Sequence, residues 1–538
     1  MIRKRHILAV MALLTAFHAS SQQLKPAMNE ALQRAYSASV RAHGFDTARQ
    51  VQNSSQFSAV VVSADGYVLT VAHAIRPGLT YKLRFPDGRT AIAAGLGTIT
   101  MRDSSGMPDM AMMKIIEDGP FPFAPMGAST AVRKGDGVVG ISYPEKLAQT
   151  FPTVRYGTVI QPDTRYRFMQ TSCAMEPGDS GGPIFDLAGR VIGMNSRCNL
   201  TIRENYEVPV DLYKLYWTAL QQRKAWGQWP DQTDSLPGEQ IAPAPAAMTA
   251  IAPNGLTGSV TITSDMDGRE QLQCGTVLAE APPAYRKLKG SFIISKSSCV
   301  GEWPVIAGKK AQILARNEEQ DLVLLQIDAR ISNGVRLSAD TLTPSIGSWL
   351  FTALPKGEEK HGVISCAPFA LAVKKHPGFL GAPARFIDNA VTLTNIAPGS
   401  PADKAGWKRG DKLLKVDGVS LEKPEDYAIQ VQPRSPGEKV SFTLQRQDSL
   451  FTQEVVLAEP QRSQHPAEHF EGRASLRADG FRHVFAHDAW VTASECGSPV
   501  FDTDGVCHGI NIARFSRTVT LVTPSADILY WLNGLKKA

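Results

Sequence analysis

The feature that most constrains this 538-residue chain is that it partly repeats itself. Pro183-Ile184-Phe185-Asp186 with Val191-Ile192-Gly193-Met194-Asn195 returns as Pro499-Val500-Phe501-Asp502 with Cys507-His508-Gly509-Ile510-Asn511, and Tyr216-Trp217 returns as Tyr530-Trp531. One echo would mean little. Two in the same order and at nearly the same separation are the mark of a duplicated domain. Length alone demands division, because single hydrophobic cores stop growing well below this size.

From 56 to 226, short apolar or alternating runs such as Ser58-Ala59-Val60-Val61-Val62 are broken by turns such as Ala64-Asp65-Gly66, which predicts many short strands in a barrel or sandwich. Val210–Lys224 reads as a closing helix. Residues 227–254, with Ala242-Pro243-Ala244-Pro245-Ala246-Ala247, have the composition of an extended Pro/Ala-rich linker. Strand patterning resumes over 255–373 and 461–538 and ends in a helix, Ala526–Lys537. The stretch 374–460 interrupts this second copy. Ala397-Pro398-Gly399-Ser400-Pro401-Ala402 starts a short helix there, and Asp417-Gly418 closes a hairpin, so the insert is a compact α+β module.

Ahead of the repeat, Leu24–His43 has helix-forming composition, and 22–55 is expected to be an N-terminal helical segment. Arg3-Lys4-Arg5-His6, the apolar run Ile7–Phe17 and Ala19-Ser20-Ser21 have the three-part layout of a signal peptide over 1–21. The apolar run is shorter than the roughly 20 residues that span a bilayer. The expectation is a periplasmic or secreted protein with no membrane span beyond the leader. Half of the formal charge of +6 comes from Arg3, Lys4 and Arg5, and what remains is too slight to argue for nucleic acid. Cys173, Cys198, Cys274, Cys299, Cys366, Cys496 and Cys507 show no paired Cys-x-x-Cys spacing, so neither a metal nor another cofactor is called for. In an exported chain they point to disulfides with at least one thiol left over.

Chemistry concentrates in Gly178-Asp179-Ser180-Gly181-Gly182-Pro183. Serine needs a base to take its proton, a third group to hold that base, and backbone N–H donors aimed at the developing oxyanion. Leu69-Thr70-Val71-Ala72-His73-Ala74 puts a histidine at the end of a strand, and Pro108-Asp109-Met110-Ala111 puts an aspartate at the start of one. Taken singly, these are a core histidine, a turn cap and a glycine-rich hairpin; appearing together in triad order, they favour catalysis.

Gly66-Tyr67-Val68-Leu69-Thr70-Val71-Ala72-His73 and the Gly-Asp-Ser-Gly-Gly-Pro run resemble the chymotrypsin-fold serine peptidases, particularly the HtrA/Deg type, and the insert resembles the PDZ domains that accompany them. The resemblance implies a mainly β protein of two chymotrypsin-like double β-barrel domains, the second degenerate and interrupted by a PDZ-like α+β module. It implies a trypsin-like serine endopeptidase acting on protein or peptide substrates, unfolded ones included. His73 would be general base then acid, Asp109 would orient its imidazole, Ser180 would form the acyl-enzyme, and the amides of Gly178 and Ser180 would form the oxyanion hole. Two departures stand out. The HtrA type usually has Asn before the serine, whereas Asp179 is as in the digestive group, where it pairs with a freed N-terminus not evident here. Gln56-Phe57-Ser58 replaces a Gly-Ser-Gly strand opening.

Specificity is assigned to Ser172-Cys173-Ala174-Met175 facing Asn195-Ser196-Arg197, braced by a Cys173–Cys198 disulfide, with no acidic residue evident at the pocket base and hence a preference for small or apolar side chains. Aligning Ser291–Ser298 on Gly66–His73 puts Ser298 at the histidine position, keeps the aspartate as Asp321, and replaces the serine by Cys496. Cys496 is either a thiol nucleophile or a relic, and the lack of an imidazole favours the relic. Cys274 and Cys299 are placed like a disulfide found beside the histidine in many proteins of this fold, leaving Cys366 and Cys507 as a third pair. In the insert, Phe379-Leu380-Gly381-Ala382 matches the PDZ loop whose amides capture a peptide's C-terminal carboxylate while the peptide adds a strand. The competing function is a non-catalytic scaffold of pseudoprotease and PDZ modules in the cell envelope, against which the intact triad of the first copy weighs.

Overall fold

The computed structural model describes residues 32–100, 109–147, 151–164, 166–234, 252–253, 255–339, 345–373, 378–423, 426–431, 434–459 and 470–536. The leader expected over 1–21 and most of the linker, 235–251, lie outside them. No helix among the described residues is long and apolar enough to cross a membrane.

The first copy is a pair of barrels. Strands Thr90–Ile99, Thr80–Arg84, Ser39–Asp46, Val51–Val61, Tyr67–Thr70 and Met110–Ile115 lie in that order and close through pairing of the first with the last, with Ala225–Trp226 added outside. Pro183–Asp186, Val191–Cys198, Asn205–Pro209, Met169–Thr171, Thr153–Gln161 and Gly137–Ser142 form a second closed barrel. Apolar side chains from both, among them Val60, Leu69, Met112, Val139, Ile141 and Phe185, share one buried core. Each such side chain contributes roughly 1.5–3 kcal/mol. The expected closing helix is split into Val210–Leu215 and Trp217–Gln221, and its Tyr213 is buried in the same core.

The N-terminal helical segment expected over 22–55 is corrected. Helix covers 32–38, after which Ser39–Asp46 and Val51–Val61 are paired antiparallel strands of the first barrel. Val40 and Ala42 alternate into the core while Arg41 and His43 lie less buried between them. This two-residue period outweighs the helix-forming composition.

The second copy comprises a seven-stranded sheet ordered Lys309–Lys310, Glu302–Ile306, Ser259–Met266, Arg269–Val277, Ser291–Lys296, Leu322–Ile327, Gln312–Asn317, and a closed barrel of Trp349–Ala353, Glu359–Leu371, Phe481–His487, Thr520–Pro524, Cys507–Arg514 and Pro499–Phe501. Its closing helix is Ser525–Gly534. The duplication extends to local detail. Gly181 N–H donates to Asn195 O at 2.8 Å, and Gly497 N–H to Asn511 O at 2.6 Å. Arg155 pairs with Asp179 at 2.6 Å, and Lys360, at the matching strand position, pairs with Glu495 at 2.6 Å. The insert leaves the barrel from neighbouring strands, for Leu371 pairs with Phe481.

Residues Val373–Gln464 form a compact unit of their own. Its strands run Ala384–Ile387, Ala390–Leu393, Lys412–Val416, Lys439–Arg446, Ser449–Val456, with Ala384–Ile387 at an edge. Helix Pro401–Lys404 is capped by the Ser400 hydroxyl, which accepts from Asp403 N–H, and helix Asp426–Val431 follows. Leu380, Trp407, Leu413 and Phe442 form its core.

All seven cysteines are free thiols, which corrects the three expected disulfides. Strand Asn205–Pro209 lies between Met169–Thr171 and Val191–Cys198. Cys173 and Cys198 are therefore held about two interstrand spacings, ~9.6 Å, apart, beyond the ~4.4–6.8 Å between Cα atoms that a disulfide spans. Cys366 and Cys507 sit on strands separated by two others around their barrel. Cys274 lies within strand Arg269–Val277, and Cys299 ends the 3₁₀ turn Ser297–Cys299, where its sulfur lies 4.0 Å from the Ser298 hydroxyl.

In the second copy, Lys296 is fully buried with its Nζ 2.5 Å from Asp321 Oδ2 and 2.8 Å from Arg477 O. Removing one member of such a pair leaves an uncompensated buried charge. Lys296→Met is expected to lower the unfolding free energy by about 3–5 kcal/mol in chemical denaturation, with Lys296→Met/Asp321→Asn recovering most of it. Equal losses in both variants would show that the pair is not what matters.

Candidate active site

Strand register brings the acid and the base together. Thr70 pairs with Ala111 and Tyr67 with Lys114. The turn Ala72–Ala74 beyond the end of one strand therefore meets Asp109 before the start of the other. Asp109 Oδ1 accepts from His73 N–H at 2.9 Å, and Oδ2 lies 2.6 Å from His73 Nδ1. Ser196 Oγ donates to the same Oδ2 at 2.8 Å. Burial pushes the Asp109 carboxyl upward, but the hydrogen bond and charge of His73, then Ser196, outweigh it and hold the group below its usual range. Burial likewise pulls the His73 imidazole down. The hydrogen bond and charge of Asp109 overcome this and raise it, against an opposing push from Arg197. The imidazole is 51% exposed, so one side of the ring is open to a reactant.

Ser180 is held in a turn tied to both barrels. Its carbonyl accepts from Ser58 N–H at 2.9 Å, and Ser58 Oγ donates to Gly178 O at 2.8 Å. Gly181 has φ +78°, and a Cβ there would lie 2.1 Å from Thr70 Oγ1 and 2.3 Å from Ser58 O, so only glycine fits. The Asp179 N–H donates to Glu176 O at 3.0 Å, whereas the flanking N–H groups of Gly178 and Ser180 find no acceptor among the described residues. Ser180 and the His73 ring are not hydrogen-bonded to each other; the bond present on the ring is the one to Asp109. Catalytic hydrogen bonds are commonly loose until substrate is bound.

What holds the turn is a residue that motif reasoning missed. Asp179 is fully buried, with Arg155 Nη1 2.6 Å from Oδ2 and Nη2 3.0 Å from Oδ1; Ser142 Oγ donates to Oδ1 at 2.8 Å and Glu176 N–H to Oδ2 at 2.8 Å. Arg155 supplies the cation that the digestive group takes from a new N-terminus. Its only trace in the sequence is a lone arginine within the alternating run 153–161.

The expected pocket residues divide. Ser196 donates to Asp109, and buried Asn195 accepts from Gly181 N–H and donates to Gly182 O at 2.8 Å, so both are tied to the Asp109 and Ser180 segments rather than to a pocket wall. Cys173 points into the barrel core with Ile184 and Met169, which removes it from the pocket. Arg197 is exposed, its guanidinium 4.6 Å from the centroid of Phe168. Ser172 and Ala174 line a cavity of about 210 Å³ together with Tyr156 and Trp490.

In the second copy Ser298 repeats both histidine contacts, with its N–H 2.7 Å from Asp321 Oδ1 and its Oγ 2.9 Å from Oδ2. The nucleophile loop differs. Ala493–Glu495 is a 3₁₀ turn closed by a capping box with Thr492, and the Cys496 N–H is turned onto Ala493 O at 3.4 Å. Cys496 is buried, which pushes its thiol up to about 11, far from the thiolate form a nucleophile needs.

In the insert, Phe379 bridges to Ala458 by bonds of 2.7 and 3.0 Å, while Leu380 and Ala382 are buried. Gly381 has φ +79°, and a Cβ would meet Ser400 Cβ at 2.2 Å. Tyr427, which sequence reasoning did not single out, reaches from helix Asp426–Val431 to donate to Ala382 O at 2.7 Å.

Residues 57–194 match the trypsin-like peptidase domain, and residues 392–446 match the PDZ domain. A probable periplasmic serine endoprotease DegP-like of Halomonas elongata is 25% identical over 381 residues, covering 68% of this chain and 72% of that protein. One of the same description from Marinomonas is 24% identical over 411 residues, covering 74% and 78%. The mitochondrial serine protease HTRA2 of Bos taurus is 30% identical over 179 residues, covering 32% and 38%. With paired barrels and an inserted PDZ unit, the chain combines a trypsin-like peptidase domain with a PDZ domain and is similar to the chymotrypsin-fold serine peptidases of the HtrA type.

Proposed function

We propose that the first copy cleaves peptide bonds with His73, Asp109 and Ser180, in an exported protein that works in the periplasm on unfolded protein or peptide substrates. The observation that carries this is the Asp109-anchored His73 beside a turn whose Gly178 and Ser180 N–H groups are left uncommitted. Neutral His73, with its Nδ1 proton held by Asp109, takes the Ser180 proton at Nε2 as Oγ attacks the scissile carbonyl. The oxyanion falls to the Gly178 and Ser180 amides. His73 then gives its proton to the leaving amine, and water frees the acyl group by the reverse sequence. Periplasmic location is supported by the leader layout and by the relatives described as periplasmic.

The PDZ unit serves substrate capture in this proposal. A peptide C-terminus would meet the 379–382 loop and add a strand to the free edge of Ala384–Ile387. The second copy is assigned no turnover, because Ser298 cannot act as a base and the Cys496 amide is committed within its own turn.

Ser180→Ala should abolish cleavage of unfolded casein and fluorophosphonate labelling, a loss of about 10⁴-fold or more in kcat. Casein cleavage at the wild-type rate in that variant would remove Ser180 from the mechanism. Cys496→Ala should leave casein turnover within about twofold of wild type, since burial keeps the thiol protonated. Because only neutral His73 can act as base and its pKa is raised, the acidic limb of kcat/KM should lie above the ordinary histidine range. Arg197→Ala removes a cation that disfavours the imidazolium. The His73 pKa therefore rises further and the limb moves to higher pH; a limb that stays fixed or moves to lower pH contradicts that coupling.

A further inference from the structure

The hairpin joining strands Cys507–Arg514 and Thr520–Pro524 of the second copy is applied to the active-site loops of the first. Ser516 Oγ and Thr518 Oγ1 both donate to Glu176 Oε1, at 2.8 and 2.7 Å. The guanidinium of fully buried Arg517 donates to Asn199 O at 2.6 Å, Thr201 O at 2.5 Å and Asn205 Oδ1 at 3.4 Å. These contacts lead directly to the nucleophile turn. Glu176 is bonded to Asp179 twice, through N–H to Oδ2 at 2.8 Å and through its carbonyl to the Asp179 N–H at 3.0 Å. Asn205 Oδ1 also accepts from Met175 N–H at 3.1 Å. From the other side, Asp488 accepts from the backbone N–H of Tyr156, the neighbour of Arg155, at 2.7 Å.

Glu176 is buried, and a buried carboxyl group keeps its position only while its oxygens are hydrogen-bonded. Its two hydroxyl donors come from the second copy, not from the barrel whose loop it shapes. Burying a guanidinium is costly unless its donors are met, and Arg517 meets those of Nη1 and Nη2 largely on backbone carbonyls of the 199–205 hairpin. That hairpin joins Val191–Cys198, which carries Ser196 and Asn195, to the next strand.

We infer that the second copy, with its own serine chemistry gone, is a built-in positioning element for the first: Ser516, Arg517 and Thr518 fix the Glu176–Ser180 turn and the 199–205 hairpin in their working arrangement. None of the three touches substrate. They act through Glu176, Asn205 and the backbone. This rests on the assignment of Ser180 as nucleophile.

The test uses the full chain, comparing Ser516→Ala/Thr518→Val and Arg517→Ala with the conservative Ser516→Thr/Thr518→Ser and Arg517→Lys. The readouts are kcat and KM on a casein-derived fluorogenic peptide, the rate of fluorophosphonate labelling, and Tm. Wild type must label and Ser180→Ala must not, which checks the underlying assignment separately. The expected result is a kcat about 10–100-fold lower in the deletion variants, on the scale of losing oxyanion-hole order. KM should change by less than about threefold, labelling should slow in parallel, and the conservative variants should recover most of the rate. Folded deletion variants that turn over within about twofold of wild type overturn the proposal. Conservative variants as slow as the deletions also overturn it, because bulk rather than hydrogen bonding would then be at work. If the double variant does not fold, Ser516→Ala alone, which leaves Thr518 on Glu176, carries the comparison with an expected kcat loss of about threefold on the same scale.

Discussion

A carboxylate with no access to water, directly before Ser180 in the chain, is the constraint around which the first copy is arranged. Asp179 can sit there only because Arg155 faces it with two short bonds and because Ser142 and the Glu176 N–H fill its remaining lone pairs. Burying two charges costs several kcal/mol per ion before attraction returns it, so such a pair persists only with this completeness of hydrogen bonding. What the pair holds is direction. With the Asp179 side chain anchored inward, the backbone amides of Gly178 and Ser180 remain without acceptors among the described residues, the condition that the proposed oxyanion role calls for.

The second copy shows which parts of this arrangement belong to the fold and which to the chemistry. The Gly497–Asn511 bond, the capping of the Ser298 amide by a buried aspartate and the Lys360–Glu495 pair are all retained. These are backbone satisfaction and charge compensation, and the barrel needs them whether or not it reacts. The imidazole, the hydroxyl and the uncommitted amides are lost. Asp321, still buried, has acquired Lys296 as its counter-ion in place of a histidine.

The pairing of His73 with Asp109 was legible because each sits in a short run at the end of a strand and the two strands are neighbours. The paired barrels were legible in outline through two-residue periodicity and the repeat. Ser39–Asp46 was not, because Ala and Arg are good helix formers locally and only the partners Val51–Val61 and Thr80–Arg84 decide for a strand. Arg155 was not singled out and Ser196 was assigned to the pocket, since the role of a polar residue in a strand depends on which turn packs across it. The expected Cys173–Cys198 bond failed for a related reason: neighbourhood in a barrel is set by strand order, and a strand threads between them. Separation in sequence carries no trace of that.

The PDZ unit, Val373–Gln464, is inserted between Glu359–Leu371 and Phe481–His487, which are antiparallel neighbours in the barrel, and the returning chain rejoins the second copy before Phe481, where Ser475 N–H donates to Arg514 O at 2.8 Å. The strands that flank the insertion, whose residues Leu371 and Phe481 pair, are a single strand spacing apart, the distance that an ordinary hairpin turn closes. In architectural terms the unit is a cassette mounted on one hairpin. Its exchange for another module, or for a short turn, leaves the strand order of the barrel as it is, so the insert and the barrel can be varied independently.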